Sequence, residues 1–309
     1  DNKNLVVYGD GYDKRDYLYV DDAVNSILLA LKSKKNGVYN ISSNESITIK
    51  EVAKEIISLS GEKSKLVYKK RNKPKNNFVF SANKAKKDLK FKSKTPIKEG
   101  LKNEILSKLI SNSKTIYLDL DGTLLDVSER MYRLHSYALN NFKAKAIKKS
   151  DYINIKRKLT NESLIIKKHY SSKIYKQFKK YDEIRISKIE DIKYLNYDRL
   201  WSNALNVLKK LKQSHKLILV TNRKSRKNLL AQFKKLKIYS FFDKIILSRK
   251  KISRKNTLII GDTEEDILVG RRLKVPVISV VNGIRDKSFL MKYKPDYIVE
   301  GISFLNKVV

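Results

Sequence analysis

Asp119 and Asp121 stand one residue apart at the end of Lys114–Leu120, a run of β-branched, aromatic and aliphatic residues that reads as a buried parallel strand. Like charges this close repel, so the pair calls for a cation between them or a raised pKa on one member. Gly122 follows and frees the backbone to turn sharply, which lets the strand end approach a ligand, with Thr123 next in line. Two more apolar runs end in the same way. Lys216–Val220 leads into Thr221, Asn222 and Arg223, where a threonine also has a plain use as a helix N-cap. Thr257–Gly261 leads into Asp262, and Asp266 lies about one helical turn further on, so the two acids can converge on one cation. Ligand sites of open α/β sheets lie at this edge, outside the carboxyl ends of the strands.

The elements that would position these groups repeat as strand, polar residue, helix. Helices are expected at Asn203–Leu211 and Leu229–Leu236, and strands at Asp243–Ser248, Val275–Val280 and Tyr297–Val299. The succession predicts a doubly wound parallel α/β sheet over 113–309, entered through the polar joint Ser111–Ser113. Residues from about 127 to 200 are rich in lysine and tyrosine, with apolar residues at helical spacing: Met131, Leu134, Ala138 and Phe142, then Ile174, Phe178 and Tyr181. They read as a helical insertion, on which Arg130, Tyr132 and Arg133 are expected at the helix surface.

The run Asp119-Leu120-Asp121-Gly122-Thr123, Thr221 after its strand, and Gly261-Asp262 with Asp266, taken in this order, resemble the first, second and fourth motifs of the haloacid dehalogenase-like phosphohydrolases. The resemblance implies that Asp119 is the nucleophile, forming an aspartyl-phosphate, and that Asp121 protonates the leaving oxygen and then activates water. It implies Mg²⁺ held by Asp119, the backbone carbonyl of Asp121 and Asp262, with Asp266 in support, a hard all-oxygen set. Thr221 and Asn222, with Gly122 and Thr123, would bind the phosphoryl group. The insertion would be a cap that closes over the site and sets the substrate, a small phosphorylated metabolite such as a sugar phosphate. The third motif supplies a lysine, and Lys250 or Lys251 is expected to fill it, although the usual helix before Thr257 is missing. A phosphomutase and a non-catalytic binding module share the same motifs.

The first part of the chain carries Gly9-Asp10-Gly11, Arg15-Asp16-Tyr17 and Val20-Asp21-Asp22, then Tyr39–Ser42 and Ser81–Leu89. Asp21 is expected to cap a helix with Val24, Ile27, Leu28 and Leu31 on its apolar face; Val38–Ile41 and Leu66–Tyr68 read as strands. Thr48 and Glu51 form a capping box for a second helix ending at Gly61. Further helices are expected from Ser81 to Leu89 and from Thr95-Pro96 to Ile110. In order, these motifs resemble the C-terminal, substrate-binding part of the NAD-dependent epimerases and dehydratases, over 1–110. The resemblance implies a nucleotide-sugar diphosphate bound by Arg15 and Arg71, since a guanidinium pairs phosphate oxygens bidentately. The glycine-rich dinucleotide turn and the catalytic Tyr-xxx-Lys of that family are absent, so a small α+β partial domain that holds no NAD is expected ahead of the α/β domain. A chain beginning at Asp1 fits a truncated fusion whose Rossmann half precedes it.

Composition narrows the class. The net charge of +37 comes from lysines spread through every segment, without an aromatic-interleaved basic motif or zinc finger, so no nucleic-acid partner is expected. A positive surface would still attract anionic substrates. There is no cysteine, which excludes disulfides and thiolate metal sites, and His135, His169 and His215 are scattered. No apolar run approaches the ~20 residues that span a bilayer, and no membrane partner is expected. A cytoplasmic protein is the expectation.

Overall fold

The computed structural model describes residues 4–59, 64–158 and 161–309. The chain divides into two compact units between Leu106 and Ser107.

In the first unit, β1 (Leu5–Tyr8) pairs in parallel with β4 (Leu66–Lys69), and β2 (Lys14–Asp16) pairs antiparallel with β3 (Ser46–Thr48). The helices are α1 (Val20–Lys32), α2 (Ile49–Leu59), α3 (Asn83–Leu89) and α4 (Ile97–Ser111), the last of which runs across the division. The capping box of α2 forms: Glu51 N–H donates to Thr48 Oγ1 at 3.1 Å and Thr48 N–H to Glu51 Oε2 at 2.9 Å. The stop assigned to Gly61 lies outside the described residues. Val38–Ile41 is not a strand; Tyr39 and Ile41 instead pack on Ala82, Ala85, Leu89 and Phe91.

Helix α1 corrects two expectations. Its N-cap is Tyr19, and Asp21 makes no cap. Asp22 turns inward and accepts from Ser93 Oγ, Lys94 N–H and Thr95 N–H at 2.9–3.1 Å. Asp22 and Ser26 are therefore the buried positions, and Val24, Ile27, Leu28 and Leu31 are exposed. The apolar period is helical as read, but hydrogen bonding decides which face turns inward.

In the second unit, β5 (Thr115–Asp119) is followed by β6 (Leu125–Asp126) and then by the insertion: α5 (Ser128–Asn140), α6 (Lys149–Lys158), α7 (Glu162–His169), α8 (Ser172–Lys176), α9 (Phe178–Ser187) and α10 (Ile192–Leu195). The chain returns through β7 (Arg199–Leu200), which pairs antiparallel with β6. Then come α11 (Ala204–Ser214), β8 (Lys216–Val220), α12 (Arg226–Leu236), β9 (Lys244–Ile246), a 3₁₀ turn at Arg249–Lys251, β10 (Thr257–Gly261), α13 (Glu264–Leu273), β11 (Val277–Val280), α14 (Lys287–Met291) and β12 (Tyr297–Val299).

Six strands form one parallel sheet in the order β12-β11-β10-β5-β8-β9. Ile116, Leu118, Leu217, Leu219, Leu258 and Ile260 are fully buried along its three central strands; each such side chain contributes roughly 1.5–3 kcal/mol. β5 lies between β8 and β10, where the chain order reverses, and a crevice opens at such a point. Asp119 pairs in register with Val220 and Leu118 with Ile260, so the three polar strand ends finish at one level.

The insertion has its own apolar cluster, Ala138, Leu139, Ile166, Ile174 and Tyr181. Beside it lies a buried polar group. His135 is hydrogen-bonded to Tyr181 Oη at 2.6 Å and Tyr170 Oη at 2.9 Å, and Glu162 accepts from Tyr152 at 2.9 Å and pairs with Lys156. Among the described residues no helix is long and apolar enough to cross a membrane.

Candidate active site

Asp119 ends β5, Asp262 follows β10 and Asp266 sits in the first turn of α13. All three are buried, and one carboxylate oxygen from each lies within 4.8 Å of the others. The donors around them are few. Thr123 Oγ1 donates to Asp262 Oδ1 at 2.9 Å and Ile284 N–H to Asp262 Oδ2 at 2.6 Å. Asp266 Oδ2 closes the capping box of α13 with Thr263. Burial and then the neighbouring Asp266 push the Asp119 carboxyl well above the usual range, and burial also raises Asp262. Three buried carboxylates this close, two of them pushed toward the protonated form, are a fitting cradle for a divalent cation.

Among the described residues one cation reaches this cradle, Arg249. Its Nη2 donates to Asp119 Oδ1 at 2.7 Å, its Nε to Asp266 Oδ1 at 2.8 Å and its Nη1 to Glu265 Oε2 at 3.1 Å. Lys250 and Lys251, expected in this role, are exposed. The connection after β9 is short, and Arg249, the first residue of the 3₁₀ turn, is the one whose planar guanidinium reaches both carboxylates. The basic triplet Arg249–Lys251 marks the place in the sequence, but residue type alone does not say which of its three cations reaches.

Asp121 is absent from the three-acid cluster and is held elsewhere. Arg223 Nε donates to its Oδ2 at 3.0 Å, while Arg223 Nη2, at 2.5 Å, and Arg130 Nη2, at 2.7 Å, donate to its Oδ1. Burial alone would raise this carboxyl, but the Arg130 and Arg223 guanidiniums outweigh it and hold it well below the usual carboxylate range. Arg130 is therefore a buried clamp and not the helix-surface residue its position suggested.

The close packing explains two glycines. A Cβ on Gly122, whose φ is +96°, would lie 2.1 Å from Asp262 Oδ2, and one on Gly283 would lie 2.3 Å from the same atom. Gly122 N–H donates to Leu125 O within the turn, and its carbonyl accepts from Trp201 Nε1 at 3.0 Å. The fully buried Thr123 hydroxyl donates to Asp262. Thr221 is buried at the end of β8, and Asn222 is exposed beside it with its amide 3.3 Å from Glu265.

In the first unit, Arg15 and Arg71 converge on buried Asp13. Arg71 Nη1 pairs with it and Arg15 Nη2 lies 3.7 Å away, while Arg15 also covers the Phe78 ring at 4.9 Å. A cavity of about 560 Å³ in this unit is lined by other residues, Glu51, Glu55, Lys54 and Lys98 among them.

Comparison with known proteins finds matches for both parts of the chain. The sequence model of the haloacid dehalogenase-like hydrolase family matches residues 116–250, a second, HAD-hydrolase-like model matches 237–305, and the model of GDP-mannose 4,6-dehydratase matches 1–104. The pyrophosphatase PpaX of Bacillus mycoides is 22% identical over 217 residues, 62% of this chain and 94% of that protein. Human dTDP-D-glucose 4,6-dehydratase is 31% identical over 112 residues, 34% of this chain; the chain spans only 32% of that relative's length. A haloacid dehalogenase-like hydrolase from Streptococcus pneumoniae superposes with a TM-score of 0.50 at 20% identity, covering 63% of this chain and 97% of its own, a likeness of fold. Residues 116–305 are a haloacid dehalogenase-like hydrolase domain, and it is preceded by a GDP-mannose dehydratase/epimerase-like fragment.

Proposed function

We propose that residues 113–309 form a Mg²⁺-dependent phosphomonoester hydrolase working through an aspartyl-phosphate on Asp119, with the insertion at about 127–200 as its cap. The observation that carries this reading is the convergence of buried Asp119, Asp262 and Asp266 within 4.8 Å at the strand ends. The three carboxylates face a single guanidinium, so the excess negative charge and the all-oxygen donor set fit Mg²⁺. When bound, the ion would offset charge on the phosphoryl oxygens.

The remaining steps fall to the chain's own groups. An Asp119 oxygen attacks phosphorus, and the bond to the ester oxygen breaks with its electron pair staying on the leaving group. Arg249 offsets the negative charge between nucleophile and phosphate, and Thr221 with Asn222 orients the phosphoryl group. Water then attacks the aspartyl-phosphate while Asp121 takes its proton, and the electron pair of the broken bond returns to the Asp119 carboxylate. The arginine clamp favours the ionised form of Asp121, which suits this base half better than donation of a proton to the leaving oxygen.

A cavity of about 150 Å³, lined by Asp126, Ser128, Arg157, Trp201 and Asn282, adjoins Gly122 and Asp262 through Trp201 and Ile284. We assign the leaving group to it; the size suits a small sugar phosphate or similar metabolite. A second reading, hydrolysis of a phosphoanhydride, is favoured by the activity named for the Bacillus relative and by a clamped Asp121, because a phosphate leaving group departs without a proton. In the first unit Arg15 and Arg71 are the residues we assign to a nucleotide-sugar diphosphate.

The test is phosphate release from sugar phosphates, nitrophenyl phosphate and pyrophosphate, with Mg²⁺ or chelator, for wild type and Asp119→Asn. Release that needs both the ion and Asp119 is expected, and the preferred compound decides between the two readings. Folded protein that releases nothing from the panel would overturn both.

A further inference from the structure

Asp198 belongs to none of the motifs, yet it is 2% exposed and sits at the centre of the clamp on Asp121. It lies just before β7, where the insertion returns to the sheet. Arg130 Nε is 3.0 Å from its Oδ1, Arg223 Nη2 donates to its Oδ2 at 3.2 Å, and Gln232 Nε2 donates to the same oxygen at 2.8 Å. Gln232 in turn accepts from Arg223 Nη1. The two guanidiniums that grip Asp121 are thus each gripped from behind by one acid. The three side chains around Asp198 come from three separate places: Arg130 from α5, Arg223 from the loop after β8 and Gln232 from α12.

The charge balance explains the arrangement. Two buried guanidiniums on Asp121 alone would leave one positive charge uncompensated and two cations repelling at close range, and an unpaired buried charge is strongly unfavourable. Asp198 restores neutrality: its hydrogen bond sets the direction of the Arg223 fork and its charge, 3.0 Å from Arg130 Nε, holds the second guanidinium in place, and with them the Asp121 oxygens. From this we infer that Asp198 is a positioning residue: by bracing Arg130 and Arg223 it holds Asp121 where it can take the proton of the water that attacks the aspartyl-phosphate. The inference rests on the proposed phosphohydrolase reading. In the step concerned, the water oxygen bonds to phosphorus, the phosphorus–Asp119 bond breaks with its electron pair returning to that carboxylate, and the water proton passes to Asp121.

The test separates this step from the first one. With nitrophenyl phosphate the first turnover releases nitrophenol without help from a proton, whereas steady turnover waits on the water step. Rapid-mixing measurements on Asp198→Asn with Mg²⁺ are expected to show a burst of about one nitrophenol per enzyme, with the first turnover within about threefold of wild type and steady turnover slowed about 10²-fold. Gln232→Ala, which removes one donor from Asp198 and keeps every charge, is expected to show the same asymmetry more weakly, and it serves should Asp198→Asn fail to fold. If first and steady turnover fall by the same factor in the folded variant, or neither changes, Asp198 is only structural and the inference is overturned. If wild type releases no nitrophenol, the phosphohydrolase reading itself fails and takes the inference with it.

Discussion

Arg249 Nη2 lies 2.7 Å from Asp119 Oδ1, and the Nε of the same guanidinium lies 2.8 Å from Asp266 Oδ1. One planar cation thus bridges the end of β5 and the first turn of α13. Replacing it by alanine would leave Asp119 beside two other acids with nothing to offset them. Arg249→Ala is expected to lower kcat/KM for phosphate release by about 10²–10³-fold, the scale of losing a charge-stabilising donor. Arg249→Lys should recover only part, because lysine keeps the charge but lacks the rigid fork whose Nε and Nη2 meet the two carboxylates separately. Steady-state kinetics of these variants beside Lys250→Ala and Lys251→Ala check the assignment; an equal loss on removing either lysine would remove Arg249 from the role.

Metal binding should register as stability. An ion that binds only the folded chain stabilises it by about 2.7 kcal/mol at a hundred times its Kd. Mg²⁺ is expected to raise the Tm of the wild type and to leave Asp262→Asn nearly unmoved. Burial raises both Asp119 and Asp262, with Asp266 adding to the shift at Asp119, so binding must expel protons. The ionised form is the one that binds, so the Mg²⁺ shift grows as pH rises from about 6 to about 8. Thermal melts at two pH values suffice, and a full shift in Asp262→Asn would contradict the cradle.

What the sequence made legible and what it hid divide along a physical line. Asp119, Thr221 and Asp262 could be read because an apolar run ending in a polar residue marks a strand mouth locally. Arg249, Arg130 and Asp198 could not. Their contacts join segments far apart in the chain, and among 69 lysines and arginines no single cation stands out by type. Glycine at 122 was expected to free the backbone; that a carboxylate occupies the place of its Cβ is known only once β10 lies beside β5. The helix α1 shows the same limit. Its period gave the helix, but Ser93, Lys94 and Thr95, some seventy residues on, turn Asp22 inward in place of Leu28.

Gly122→Ala tests how closely the cradle is built. The new methyl would meet Asp262 Oδ2 at 2.1 Å on a backbone with φ +96°, and Asp262 is held in place by Thr123 and Ile284. It cannot recoil without breaking those bonds. The variant is expected to lose on the order of 1–3 kcal/mol of stability, the scale of an L-residue forced into such a conformation, and to lose the Mg²⁺-induced rise in Tm. Denaturant unfolding with and without Mg²⁺ measures both, and a variant as stable and as responsive as wild type would show that the turn is looser than described.

The insertion carries a pH dependence of its own. His135 is fully buried, and burial lowers its pKa from 6.5 in spite of nearby Glu162, which pulls the other way. Below about 6.5 the unfolded chain therefore binds a proton that the folded chain refuses, and stability falls as pH drops, by at most about 1.4 kcal/mol per pH unit for one group. Glu162 works in a lower window. Burial would raise it, but the Lys156 ammonium holds it below its ordinary 4.5, so its contribution is full above that value and is lost on further acidification. Denaturant unfolding from about pH 7.5 to 4 should thus show two successive losses. His135→Gln, which keeps a polar side chain between Tyr170 and Tyr181, is expected to flatten the first and keep the second. A variant curve that runs parallel to the wild type between about pH 7 and 5.5 would show that His135 does not titrate with folding.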